Sequence, residues 1–191
     1  MPDDLPLIGF ASKGEFAAWL DDSHATAPGV WVKYAKKDTG LESITHAEAV
    51  EVALRYGWID SRGHRIDDRF WRARFMPRAR RSRWSQVNRE TAERQIAAGE
   101  MTPAGLREVE AARADGRWDA AYASQSRATV PDDLRAALAA EPGAAEFFAS
   151  LNSQNRYSIL HRVEEAKREE TRARRIAKYV AMCAAKEKIH P

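Results

Sequence analysis

The sequence predicts an α+β protein: a small antiparallel sheet with helices in the N-terminal half, followed by a helical C-terminal section. Three observations carry this. Val30-Trp31-Val32-Lys33-Tyr34 and residues 69–76 are β-branched, aromatic and alternating, the pattern of half-buried strands. Two capping signals, Ser12-Lys13-Gly14-Glu15 and Thr45-His46-Ala47-Glu48, each precede apolar residues at helical spacing. Beyond Trp84 the punctuation is that of helices alone.

The elements follow in order. Phe16, Trp19 and Leu20 mark a first helix to about Asp22, and Pro28-Gly29 breaks the chain. The strand at 30–34 leads into a turn at 37–40, and Leu41 to Ile44 reads as a brief returning strand. Val50, Ala53 and Leu54 form the buried stripe of the second helix, which Gly57 closes in a left-handed cap. Trp58-Ile59-Asp60 starts a strand, Arg62-Gly63 reads as a hairpin turn, and His64-Arg65-Ile66 returns. Asp67-Asp68 turns into the strand from Arg69 to Met76, which places Phe70, Arg72, Arg74 and Met76 on one face. Further helices are predicted from Ser85 to Ala98, from Thr102-Pro103 to Gly116, from Pro131, after Pro142-Gly143, and from Gln154 to about Lys186 with a break near Glu170. The texture changes at Trp84, so the chain divides into an α+β section, 1–84, and a helical section, 85–191, which form two domains or one.

Composition narrows the class. With 44% hydrophobic and 31% charged residues among 191, the chain is globular and long enough to bury a core without staples. Cys183 is the only cysteine, which excludes an intrachain disulfide. No stretch approaches the roughly 20 apolar residues of a membrane span. The start, Met1-Pro2-Asp3-Asp4, lacks the basic and apolar regions of a secretory signal, and the expected location is cytoplasmic.

Charge is distributed unevenly. Arg62, Arg65, Arg69, Arg72, Arg74, Arg78, Arg80, Arg81 and Arg83 face only Asp67 and Asp68 across this window, which carries +7 in a chain of net charge +3. Planar guanidinium forks suit phosphate oxygens, and Phe70, Trp71 and Trp84 are interleaved for stacking on bases. This points to an anion site, with nucleic acid among its ligands, built from Arg72, Arg74, Arg78, Arg81, Trp84, Ser85 and Asn88. Free amides at the helix start near Ser85 would add to it. The competing reading is an Arg-rich face that is solvated or paired to acids elsewhere, with Ser85 a cap and Trp84 a core residue. No DNA-binding signature is visible.

Asp60 and His64 could form a general acid/base pair; the competing reading has Asp60 bonding turn amides while Trp58 and Ile59 fill the core. His24, His46, His64, His161 and His190 show no metal spacing, and no cofactor motif is present. Acids followed by bases at four-residue spacing (Glu164–Arg168, Glu170–Arg174) read as a solvated helix, and Cys183 falls on its apolar stripe with Ile176 and Val180.

Several segments carry a resemblance. Ala47-Glu48-Ala49-Val50 leading through Ala53-Leu54 to Tyr56-Gly57-Trp58-Ile59-Asp60, Phe75-Met76-Pro77-Arg78, Ser82-Arg83-Trp84-Ser85 with Asn88, and Ala92-Glu93-Arg94 belong to it. So do Gly99-Glu100-Met101, Gly116-Arg117-Trp118, Pro131-Asp132-Asp133-Leu134, Ala166-Lys167 and Glu170-Thr171-Arg172 through Arg175-Ile176. Together these resemble the YdeI/OmpD-associated family of bacterial proteins, from about Phe10 onward. Arg55 stands where that pattern often has a cysteine before the tyrosine. The resemblance implies association with an outer-membrane porin and protection against bacteriocins or cationic antimicrobial peptides, and it implies no catalytic residues. Three function classes follow: a non-enzymatic binding protein of stress or peptide defence, an enzyme on a small anionic substrate using Asp60 and His64, and an adaptor that docks another protein.

Overall fold

A computed structural model describes residues 4–123 and 127–191; the side chain of Arg62 and the start at Met1 to Asp3, on which the reading of the leader rests, lie outside the described set. The chain divides into two compact units, Met1–Ala121 and Tyr122–Pro191. The change of texture at Trp84 falls inside the first.

The first unit is built on a four-stranded sheet. Strand β1 (Leu7–Gly9) is followed by helix α1 (Lys13–Ser23), β2 (Val30–Ala35), a 3₁₀ turn (Lys37–Thr39), α2 (His46–Arg55), β3 (Trp58–Arg65), β4 (Phe70–Pro77), α3 (Gln86–Ala97) and α4 (Pro103–Ala114). The strand order is β1-β2-β4-β3, and the sheet is mixed: β1 lies parallel to β2, whereas β2–β4 and β3–β4 are antiparallel. The α+β class holds; the parallel edge strand β1 was absent from the sequence reading, because three residues carry no periodicity.

Local chemistry explains the element ends. The Ser12 hydroxyl accepts from the Glu15 amide at the start of α1. At α2 the full reciprocal box forms: Thr45 Oγ1 accepts from the Glu48 amide, and Glu48 Oε2 accepts from the Thr45 amide at 2.9 Å. Gly57 adopts φ 72° as α2 turns into β3, a conformation that disfavours side chains. Two strand expectations fail. Arg62-Gly63 is no hairpin turn: β3 runs on to Arg65 through a bulge between Asp60 and Gly63, and the hairpin turns at residues 66–69. There Asp67 Oδ1 accepts the amides of Arg69 and Phe70 at 2.7 and 2.8 Å. Leu41 to Ile44 forms no strand; the Ile44 amide donates to Phe10 and its side chain enters the core.

The sheet's two faces differ in kind. Val30, Val32 and Tyr34 of β2 pair across β4 with Phe75, Ala73 and Trp71. Most of these join Phe16 and Leu20 of α1 and Val52 and Ala53 of α2 in a buried core, with Trp71 packed at its edge. The opposite face carries Trp31, Lys33 and Ala35 against Arg74, Arg72 and Phe70. A second core lies beyond α2, where Leu54 meets Trp84, Ala92, Met101, Val109, Ala112 and Trp118.

The second unit is helical: α5 (Asp132–Ala140), α6 (Ala144–Ser150), α7 (Ser153–Glu164) and α8 (Glu169–Ala184). The helical stretch predicted from Gln154 with a break near Glu170 does break, at residues 165–168, between α7 and α8. Its core holds Leu134, Leu138, Phe148, Ile159, Val163, Ile176 and the wholly buried Cys183. Burial pushes the Cys183 thiol pKa up, as an inert core thiol requires. The buried Asn155 side chain accepts the amides of Ile189 and His190 and so pins the chain's end to α7. Among the described residues no helix is long and apolar enough to cross a membrane.

Candidate functional site

Strand alternation sends Phe70, Arg72, Arg74 and Met76 of β4 to the outer face of the sheet. Antiparallel register then decides their neighbours. Lys33 and His64 flank Arg72 from β2 and β3, and Trp31 flanks Arg74. The result is a basic and aromatic surface. The Arg72 guanidinium lies 4.2 Å from the centre of the Trp31 ring, and that of Arg74 lies 5.9 Å away. Lys33 Nζ sits 4.4 Å over Phe70, which Arg69 also approaches. The exposed His64 ring meets Trp31 edge-on at 5.4 Å.

No outward-facing residue of these strands is an acid. Among the described residues, Lys33, Arg69, Arg72 and Arg74 form no ion pair; the Arg74 Nε donates to Ser61 Oγ at 3.0 Å. The cations therefore rest on aromatic rings and keep their polar edges for solvent or an anion. Arg65 differs, since it pairs with Asp68 at the hairpin end.

The other arginine-segment residues go elsewhere. Arg78 is 6% exposed and Trp84 1% exposed; the guanidinium stacks 3.8 Å over the indole and donates to the Arg83 carbonyl. Trp84 in turn packs on Trp118 at 4.8 Å. Ser85 is buried, its hydroxyl accepting the Asn88 amide at 3.1 Å as the α3 cap, and the Asn88 side chain is half-buried. Arg81 stands exposed on the loop before α3. Of the seven residues singled out in the sequence, Arg72 and Arg74 thus meet on the sheet face, while Arg78, Trp84 and Ser85 belong to the second core of their unit.

The expected partners among the aromatics also change. Trp71 turns to the core side, where it stacks on Tyr34 at 4.5 Å. The ring that joins Arg72 and Arg74 is Trp31, which the sequence reading assigned only to a strand. Cross-strand register carries that information, and a single segment does not contain it.

Asp60 and His64 do not meet. The bulge changes the alternation, so Asp60 stands opposite Phe75 on the core face and His64 opposite Arg72 on the outer face. The partner of Asp60 is His46, whose Nε2 lies 3.2 Å from Oδ2. Nearby, burial and then the Asp60 charge push the Tyr34 phenol pKa far above its ordinary value. His46 packs against Tyr34, Trp71 and Phe75, so the pair ties the start of α2 to the sheet. Among the described residues, no three His, Cys, Asp or Glu side chains converge to hold a metal ion.

Comparison with known proteins divides the chain much as its folding does. Residues 8–108 match a family described as a domain of unknown function, DUF8412, and residues 127–186 match the family described as Bacteriocin-protection, YdeI or OmpD-Associated. No curated protein and no solved structure matches the chain. The motif residues from Ala47 to Met101 lie in the first family's span, Pro131 to Ile176 lie in the second's, and Gly116-Arg117-Trp118 falls between the two. The C-terminal helices are thus similar to the YdeI/OmpD-associated family, and the chain belongs, through the match that spans more than half of it, to that family of unknown function.

Proposed function

We propose that the chain is a non-enzymatic binding protein that holds a polyanion on the outer face of its sheet, with Lys33, Arg72 and Arg74 as the primary cations. One observation supports the reading: these cations lie side by side over Trp31 and Phe70 and, among the described residues, form no ion pair with a carboxylate. Cation–aromatic contact orders the long side chains beforehand, which lowers the entropic cost of meeting a ligand. Arg81 is the remaining exposed candidate of the original set.

The description of the second family, which names bacteriocin protection, supports a proposed role in stress or bacteriocin defence. A basic face repels cationic peptides, so protection by this chain would run through an anionic ligand rather than through capture of the peptide. The cytoplasm, where nucleic acids and polyphosphates are abundant, is the compartment proposed for it.

The test is an anisotropy titration of labelled polyanions across a salt series. Affinity should fall steeply with salt, and the double substitution Arg72→Ala/Arg74→Ala should lower the log–log slope by about 1.4, roughly 0.7 per cation on a single strand. Absence of binding at low salt would remove the reading.

A further inference from the structure

Taking the outer sheet face as an anion site, as proposed above, we infer that its ligand is single-stranded nucleic acid and that Trp31 is a stacking platform which Arg72 covers until a base replaces it. Trp31 projects to the outer face, yet it is only 2% exposed. Long, flexible guanidinium side chains lie against it, Arg72 at 4.2 Å over the ring and Arg74 at 5.9 Å, with the edge of His64 at 5.4 Å and Leu7 paired beside it on β1. A core indole is locked by packing, whereas this one is lidded by side chains that can swing away.

The indole also has unfinished hydrogen bonding. Trp31 Nε1 is buried and has no acceptor among the described residues. A buried donor without an acceptor is costly, and a ligand that brings an acceptor relieves it. A nucleobase offers both of the things this ring can use, a π-face to stack on it and a carbonyl oxygen or ring nitrogen for its N–H. When the base arrives, the displaced Arg72 guanidinium is left beside Lys33 and His64 in one cross-sheet row, where it meets the phosphate that follows the base. A polyanion without bases could use the row and would leave the indole covered.

Phe70 repeats the arrangement under Lys33. It pairs with Ala35, four residues along β2 from Trp31, which sets the two rings roughly 13 Å apart along the strand. Bases stacked on one another are about 3.4 Å apart, so the two rings would hold bases of an extended strand. A duplex is disfavoured, because this face offers no protruding helix or ribbon to enter a major groove.

The experiment compares three probes on the full chain at low salt: an oligo(dT) of about twelve nucleotides, an abasic oligomer with the same phosphates, and inorganic polyphosphate. Oligo(dT) should bind about tenfold more tightly than the abasic strand and should alone quench indole emission. Trp31→Leu should abolish that preference, bringing oligo(dT) and abasic affinities together, while Arg72→Ala should weaken both strands. Trp31→Phe, which keeps a ring, should retain part of the preference and guards against loss of the fold. Equal affinity of the wild-type chain for oligo(dT) and the abasic strand overturns the single-strand assignment and leaves the anion reading standing. If none of the three probes binds, both fail.

Discussion

Arg72 and Arg78 stand six residues apart and do opposite work. Arg72 rests on Trp31 at the sheet surface, and Arg78 is buried on Trp84. Composition cannot separate them, because the same guanidinium lies half-buried on one aromatic ring and buried on another. The separation comes from β4 ending at Pro77, after which the chain turns inward and the Arg78 amide donates to the Gly57 carbonyl. Arg78→Ala should therefore destabilise the fold by about 1–3 kcal/mol in denaturant melts and leave polyanion affinity unchanged. Arg72→Ala should do the reverse. Gly105 offers a second residue-scale check. Gly→Ala inside a helix ordinarily stabilises by about 0.5–1 kcal/mol. Here a Cβ would stand 2.3 Å from the Arg55 carbonyl oxygen and 2.4 Å from Met101 Sδ, so α4 would have to move off α2. Gly105→Ala should thus lower the melting temperature, and a rise would show that the two helices do not approach so closely.

At the scale of elements, what was legible was what is local. Helix starts at Ser12, Thr45, Ser85, Thr102 and Asn152 are set by a side chain that caps an amide three residues on, and the first four were readable from the chain as written. The bulge in β3 was not, since it is defined by β4 opposite it; its consequence is that Asp60 and His64 part to opposite faces. The candidate site was half legible for the same reason: alternation gave Arg72 and Arg74 a common face, but Trp31, Lys33 and His64 reach them only through strand pairing. In the helical unit, one long-range link is open to test. Arg172 donates from Nε and Nη2 to the two oxygens of Asp133, at 2.5 and 2.9 Å, and from Nη1 to the Val163 carbonyl, joining α8 to the start of α5 and the end of α7. These bonds hold the Asp133 carboxyl pKa below its ordinary value. A depressed carboxylate adds stability that is present above its unfolded pKa of about 3.9 and is lost as pH falls through the folded one. Asp133→Asn should therefore cost about 0.5–1 kcal/mol at neutral pH, a modest figure because Asp133 is nearly half exposed, and the difference from wild type should vanish as the carboxylate is protonated in acid. A pH-independent difference would assign the loss to geometry and not to the charge.

For the molecule as a whole, the boundary lies where burial changes partners and not where sequence texture does. Helical signals begin at Ser85, yet α3 and α4 close a core with Leu54 of α2, so the sheet unit extends to Ala121. Texture reports local backbone preference; only the register of apolar faces reports which core a helix serves. The two family matches, 8–108 and 127–186, fall on either side of the same boundary. Tyr122–Pro191 buries its own set of large side chains, including Phe148, Ile159 and Leu134, and chains of about 60–70 residues can fold alone on such a core. A fragment of residues 122–191 should accordingly give a helical circular-dichroism spectrum and a cooperative melt. All the residues assigned to ligand binding lie in the other unit, so residues 1–121 should keep the polyanion affinity and its salt slope, and the helical fragment should bind at least tenfold more weakly. The helical fragment is itself basic, with Arg168, Arg172, Arg174, Arg175 and Lys178 on α8 or just before it, which makes it a stringent control for charge alone. Comparable binding by the two fragments would mean that bulk positive charge suffices. Binding confined to the first would tie affinity to the sheet face, where Lys33, Arg72 and Arg74 are laid over aromatic rings and, among the described residues, form no ion pair.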